Sequence, residues 1–184
     1  MIGILPKSLE IGEKQYSIRS DFRVALLIFE AFNDVDLNDS EKVEVCLKCL
    51  YKEIPPDSET AYRQAIWFLD GGNIPKSRRN NKKIFDWKQD ESLIFPAVNK
   101  SAGFETRSAE YIHWWTFLGY FSEIGEGLFS QIINIRTKKS KGKKLEKWER
   151  EFYAEHKEMI DLKRAISGEE QAEIDRLNKV LGGG

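Results

Sequence analysis

Apolar residues along this chain change their spacing several times, and each change marks an element. Leu9, Ile11, Tyr16 and Ile18 alternate with polar residues around Gly12-Glu13-Lys14, the pattern of a small hairpin over residues 8–18. From Asp21, which can cap a helix, Phe22, Ala25, Leu26, Phe29 and Phe32 recur every three or four residues. Val24, Leu27 and Ile28 fill its other faces, so this helix is expected to be buried on most sides. A second helix opens at Asp39 or Ser40, carries the stripe Val43, Cys46, Leu47, Leu50 and Ile54, and stops at Pro55-Pro56. Asp57 caps a third, with Tyr62, Ala65, Ile66 and Leu69 on one face and Gly71-Gly72 closing it.

The second half is less regular. Residues 73–83 lack periodicity and read as an exposed loop. Asp86 with Gln89 resembles a capping box, opening a helix with Trp87, Ile94 and Val98 that Pro96 should kink or shorten. Ser108 to Phe121 is the densest apolar stretch and predicts a helix at the centre of the domain. Tyr111, Trp114, Trp115 and Phe121 form its core aromatic cluster. After Gly125 and Gly127 comes a short helix with Leu128, Ile132 and Ile135. Trp148, Phe152, Met159, Leu162 and Ile166 then predict one long helix from near Leu145, broken at Ser167-Gly168. Glu169 to Leu181 forms a last amphipathic helix whose narrow stripe is Ile174, Leu177 and Leu181, a candidate partner-binding face. The expected fold is therefore all-α, six to eight helices around the central aromatic helix, with a small N-terminal β-hairpin. Residues 1–166 make one helical domain, and 167–184 a short amphipathic helix with a flexible Gly tail.

Composition narrows the function classes. A chain of 184 residues with 41% hydrophobic content can bury a real core, and five Trp, eleven Phe and six Tyr make it aromatic. Cations and anions nearly balance, 29 against 30, so no global field favours nucleic acid or an anionic membrane. No apolar run approaches the ~20 residues of a membrane span, and the N-terminus lacks the pattern of a secretory signal. The expectation is a reduced, cytoplasmic protein.

Chemistry-bearing constellations are sparse. Cys46-Leu47-Lys48-Cys49 has the form of a zinc or redox half-site, but no second cysteine pair exists and His113 and His156 lack ligand spacing. A buried structural thiol is the better reading of Cys46. His113 has no nucleophile or carboxylate motif beside it. Asp34, Asp36 and Asp39 miss the offsets of a calcium loop. No catalytic, cofactor or metal residue is assigned, and the chain is not expected to be an enzyme. Two basic stretches are the strongest case for nucleic acid: 76–83, with five cations, and 136–150, with eight cations and two acids. No helix-turn-helix, zinc-finger or RNA-binding signature accompanies them, so nucleic acid is not the expected partner.

The order of several segments carries a resemblance. Leu5-Pro6 with the hairpin is followed by Ile18-Arg19-Ser20-Asp21-Phe22-Arg23, then Leu50-Tyr51-Lys52-Glu53-Ile54-Pro55-Pro56-Asp57. Ala65-Ile66-Trp67-Phe68-Leu69-Asp70-Gly71-Gly72, Phe85-Asp86-Trp87-Lys88-Gln89-Asp90, Ile112-His113-Trp114-Trp115-Thr116-Phe117 and Ile132-Ile133-Asn134-Ile135-Arg136 complete it. Over roughly residues 5–165 the chain resembles the phage gene product fifteen family of tailed bacteriophages and prophages. It departs from the family pattern at Ser101-Ala102-Gly103-Phe104-Glu105, and the tail after Ser167 is additional. The resemblance implies a tail-assembly chaperone of the bacterial host cytoplasm. Its partner would be the tape-measure protein and, as a second candidate, the major tail protein. A structural tail protein retained in the virion and a nucleic-acid-binding module are the alternatives.

Overall fold

A computed structural model describes residues 3–73 and 83–181, with side chains in the last helix as far as Arg176. The basic loop expected at 73–83 lies mostly outside the described residues, as do Gly182–Gly184. The hairpin pairs β1 (Ser8–Ile11) with β2 (Lys14–Ser17), and Leu9 faces Tyr16 across it. Gly12, at φ 63°, supplies the left-handed corner that the two-residue turn needs. Leu9, Ile11, Tyr16 and Ile18 are all buried, as their alternation predicts.

Nine α-helices follow among the described residues: α1 (Phe22–Asn33), α2 (Asp39–Leu50), α3 (Ser58–Leu69), α4 (Glu91–Ala102), α5 (Trp114–Ser122), α6 (Leu128–Ser140), α7 (Lys147–Glu155), α8 (Lys157–Ile160) and α9 (Gly168–Leu181). The fold is mostly helical with one N-terminal hairpin. Its main core joins the hairpin to α1–α5, and a smaller one, built on Ile132, Ile135 and Ile160, lies between α6 and α8.

Several expected elements are shorter than their apolar periodicity. Helix α2 ends at Leu50, and Tyr51 turns extended to bridge Ile18 while the Lys52 amide donates to the Ser17 carbonyl. Ile54, expected on the stripe of α2, is therefore outside the helix and exposed. Asp86 does not open α4. Its Oδ1 caps a separate turn by accepting from the amides of Lys88 and Gln89, and α4 starts at Glu91. Pro96 does not end α4, because it sits on the exposed face where water can reach the freed Ser92 carbonyl.

The single long helix expected from Leu145 to Ile166 is instead α7, α8 and an extended strap. The chain leaves the helical region at His156, at φ −121°, and turns extended at Asp161. Within α7, Glu149 is fully buried and accepts from the Lys138 ammonium and the Asn134 amide. Trp148, placed on the apolar seam by its spacing, faces solvent instead. The fully buried side chain of α7 is thus a carboxylate, beside the partly buried Phe152 and Tyr153, and period alone does not find it.

Candidate interaction surface

The segments that carry the family resemblance are fasteners between elements. Arg19 donates through Nη1 to the carbonyls of Lys48, Cys49 and Tyr51, satisfying the end of α2. Asp21 caps α1 through the Arg23 amide, and its Oδ2 accepts from the Ile112 amide 91 positions away. The Arg23 guanidinium holds the carbonyls of Arg107 and Ala109.

His113-Trp114-Trp115 is a clamp. Helix α5 starts at Trp114 with His113 as its cap: Nδ1 accepts from the Trp115 amide at 3.1 Å and Nε2–H donates to the Pro6 carbonyl at 2.9 Å. The indoles then finish another helix. Trp114 Nε1 donates to the Leu69 carbonyl at 2.9 Å and Trp115 Nε1 to the Phe68 carbonyl at 2.8 Å. With the amides of Asp70 and Gly72 on Ile66 and Trp67, all four terminal carbonyls of α3 are satisfied. Gly72, at φ 82°, is where the ring of Trp115 presses closest: a Cβ there would lie 2.7 Å from it.

Of the aromatic cluster expected at the centre, Trp114 is fully buried, and Trp115 and Phe121 are half-buried. Tyr111 is not part of the core. It precedes the helix, is 48% exposed, and shares a hydrogen bond with the Ser20 hydroxyl. Helical spacing put it on a face that the extended run Ala109–His113 does not have.

His113 gives the fold a pH dependence. Its cap requires an unprotonated Nδ1, and burial, opposed by the Pro6 carbonyl, lowers its pKa from the ordinary value. A lowered folded pKa means that the unfolded chain takes up the proton first. This contribution is complete above the unfolded value of about 6.5 and is lost as pH falls from there through the folded value. The melting temperature should fall between pH 7 and 5, and less steeply in His113→Asn, which can still cap. Parallel melting curves for both proteins across that range would remove the cap from the explanation.

Arg136 lies in a second fastener. All five of its N–H groups are engaged: Nε with the Ile160 carbonyl, Nη1 with Ile84 O and Asp90 Oδ2, Nη2 with Asp90 Oδ1 and Met159 O. Lys138 and Lys139 are paired with Glu149 and Asp161. Three cations of the basic stretch 136–150 therefore hold α6 to its neighbours and are withdrawn from any nucleic-acid surface. Trp87, near the other stretch, packs against Phe85, Trp114 and Phe121 and is no stacking platform. Cys46 is buried, and burial with the neighbouring Cys49 pushes its thiol up to about 12, the opposite of a reactive thiolate.

One open groove combines an apolar floor with a charged rim that includes Arg23, Glu30, Asp34 and Lys88. It has a volume of about 620 Å³ and runs between α1, the turn 86–90 and the start of α4. Leu26, Leu27, Val35, Trp87, Phe95 and Ile166 line it, with Leu27 57%, Val35 50% and Ile166 40% exposed. The Lys88–Glu30 ion pair ties the turn to α1. One wall is the strap after α8, fixed by a two-way bond: Gln89 Nε2 donates to the Lys163 carbonyl, and the Lys163 amide donates to Gln89 Oε1.

The strap ends in a third clip. The Gly168 amide donates to both carboxylate oxygens of Asp36, at 3.2 and 2.9 Å, and the Ser167 hydroxyl accepts from the Glu170 amide. Asp36 thus places a negative charge at the start of α9, where the helix dipole favours it. From there α9 leaves the body: every residue from Gly168 to Arg176 is exposed. Ile174, in the candidate stripe, is 38% exposed. The side chains of Leu177 and Leu181 lie outside the described residues.

A family model described as Bacteriophage Gp15 protein matches residues 1–162. The chain belongs to that family. No curated protein and no solved structure gives a match. The family span ends within the strap, so α9 lies beyond it. Among the described residues no helix is long and apolar enough to cross a membrane.

Proposed function

We propose that this phage protein is a tail-assembly chaperone, a non-enzymatic factor that binds the tape-measure protein and keeps it soluble in the bacterial cytoplasm until the tail is built. One observation carries the reading: an amphipathic helix, α9, stands clear of the body with Ile174 uncovered, beside an apolar groove. A long helical chain with apolar stripes is held in solution by laying amphipathic helices along those stripes. The acids of α9, Glu169, Glu170, Glu173 and Asp175, keep that helix soluble while unbound. Membership in a bacteriophage family supports the setting.

Co-expression tests it. With this chain present, the soluble fraction of the tape-measure protein should rise several-fold, and Ile174→Asp with Leu177→Asp should reduce the gain with an unchanged circular dichroism spectrum. A tape measure that aggregates equally with and without this chain overturns the proposal. Mass spectrometry of purified virions separates the alternative: a chaperone is absent from the particle, whereas stoichiometric recovery makes this a structural tail protein.

A further inference from the structure

Among the described residues, an apolar-lined groove and the exposed helix α9 lie beside one another without covering each other. Helix α9 begins at the rim of the groove, since Val35 and Ile166 line that groove and Asp36 holds Gly168. The strap is fastened at Lys163 by Gln89 and at Gly168 by Asp36. With Gly168 held by Asp36, every residue from Gly168 to Arg176 is exposed, and Leu27 and Val35 of the groove are exposed as well, so the groove is open to a second copy. We propose that α9 of one copy lies in the groove of another, whose α9 lies in the first, so that the protein is a dimer joined by exchanged C-terminal helices.

Three observations carry this. The occupant exists on the same chain: Ile174 is exposed, and Leu177 and Leu181 follow it at helical spacing. The exchange is closed, because each copy gives one helix and receives one, the self-complementary contact of a two-fold dimer. The area suffices. Helix α9 has 14 residues. Such a helix is ~21 Å long and ~10 Å across, so burying one flank covers on the order of 400 Å² on each partner. Two such contacts total about 1,600 Å², the standard size of a stable protein–protein interface. A stripe meant for a tape measure also needs cover until that partner arrives, and exchange supplies it; this last point alone rests on the chaperone reading.

Light scattering on the eluting full-length protein at about 100 µM, well above the dissociation constant that an interface of this size supports, reads the mass. The expected result is a dimer. Leu27→Glu, which charges an exposed groove position, and Ile174→Asp with Leu177→Asp, which charges the stripe, should each give a monomer with unchanged circular dichroism. Mixed in equal amounts, the two variants should recover a dimeric species, because one intact groove then meets one intact stripe. A monomeric wild type, a dimer that survives either variant, or a mixture that stays monomeric overturns the exchange. The wild-type mass and the Leu27→Glu variant, which leaves the α9 stripe intact, read the exchange without the co-expression result, so the two proposals fail separately.

Discussion

Replacing Arg136 with methionine should lower the unfolding free energy by about 3–5 kcal/mol, the range for removing one partner of a buried ion pair. Methionine fills much of the volume but leaves the Asp90 carboxylate buried opposite nothing. It also strips the carbonyls of Ile84, Met159 and Ile160 of their donor. Asp90 retains only the Asp86 amide among its described partners. Most of the cost is therefore the uncompensated charge, and Arg136→Met with Asp90→Leu should be more stable than Arg136→Met alone. Urea unfolding of Arg136→Met, Asp90→Leu and the double variant decides it. If the double variant loses the sum of the single losses, the two side chains are not coupled and the fastener has been misread. A loss of this size matters, because a domain is typically stable by only about 5–15 kcal/mol.

Trp114→Ala should cost a similar ~3–5 kcal/mol, since it opens a cavity where Phe29, Trp87 and Phe117 now meet the ring and orphans the Leu69 carbonyl. Trp114→Phe keeps most of the packing and loses the hydrogen bond, so it isolates about 1–3 kcal/mol for the unsatisfied carbonyl. Trp115→Ala should cost less than Trp114→Ala, because its ring is only partly buried whereas that of Trp114 is fully buried. Thermal or chemical unfolding of the three variants gives the order. Equal losses for the two alanine variants would mean that the second tryptophan anchors α3 as strongly as the first.

Much of this molecule is legible in its residue order. The alternation of Leu9, Ile11, Tyr16 and Ile18 and the three-and-four spacing from Phe22 to Phe32 locate elements because a strand repeats every two residues and a helix every 3.6. Asp21 and Asp57 mark helix starts because only a short side-chain acceptor reaches the free amides there. The ordered segments from Leu5 to Arg136 were enough to place the family.

What the order of residues could not decide depends on neighbours distant in sequence. Tyr111 looks helical until Asp21, 91 positions away, takes the Ile112 amide and holds the chain extended. Glu149 and Arg136 read as solvated charge, and only the folded chain brings Lys138 and Asp90 to them, making burial tolerable. The groove has no local signature at all: Leu27, Val35, Trp87 and Ile166 belong to four separate segments, each unremarkable alone. Periodicity reports which way a side chain points within its own element. Whether another element arrives to cover it is a property of the tertiary structure. Among the described residues Leu27 and Ile174 stay exposed, so these apolar positions are open to a partner.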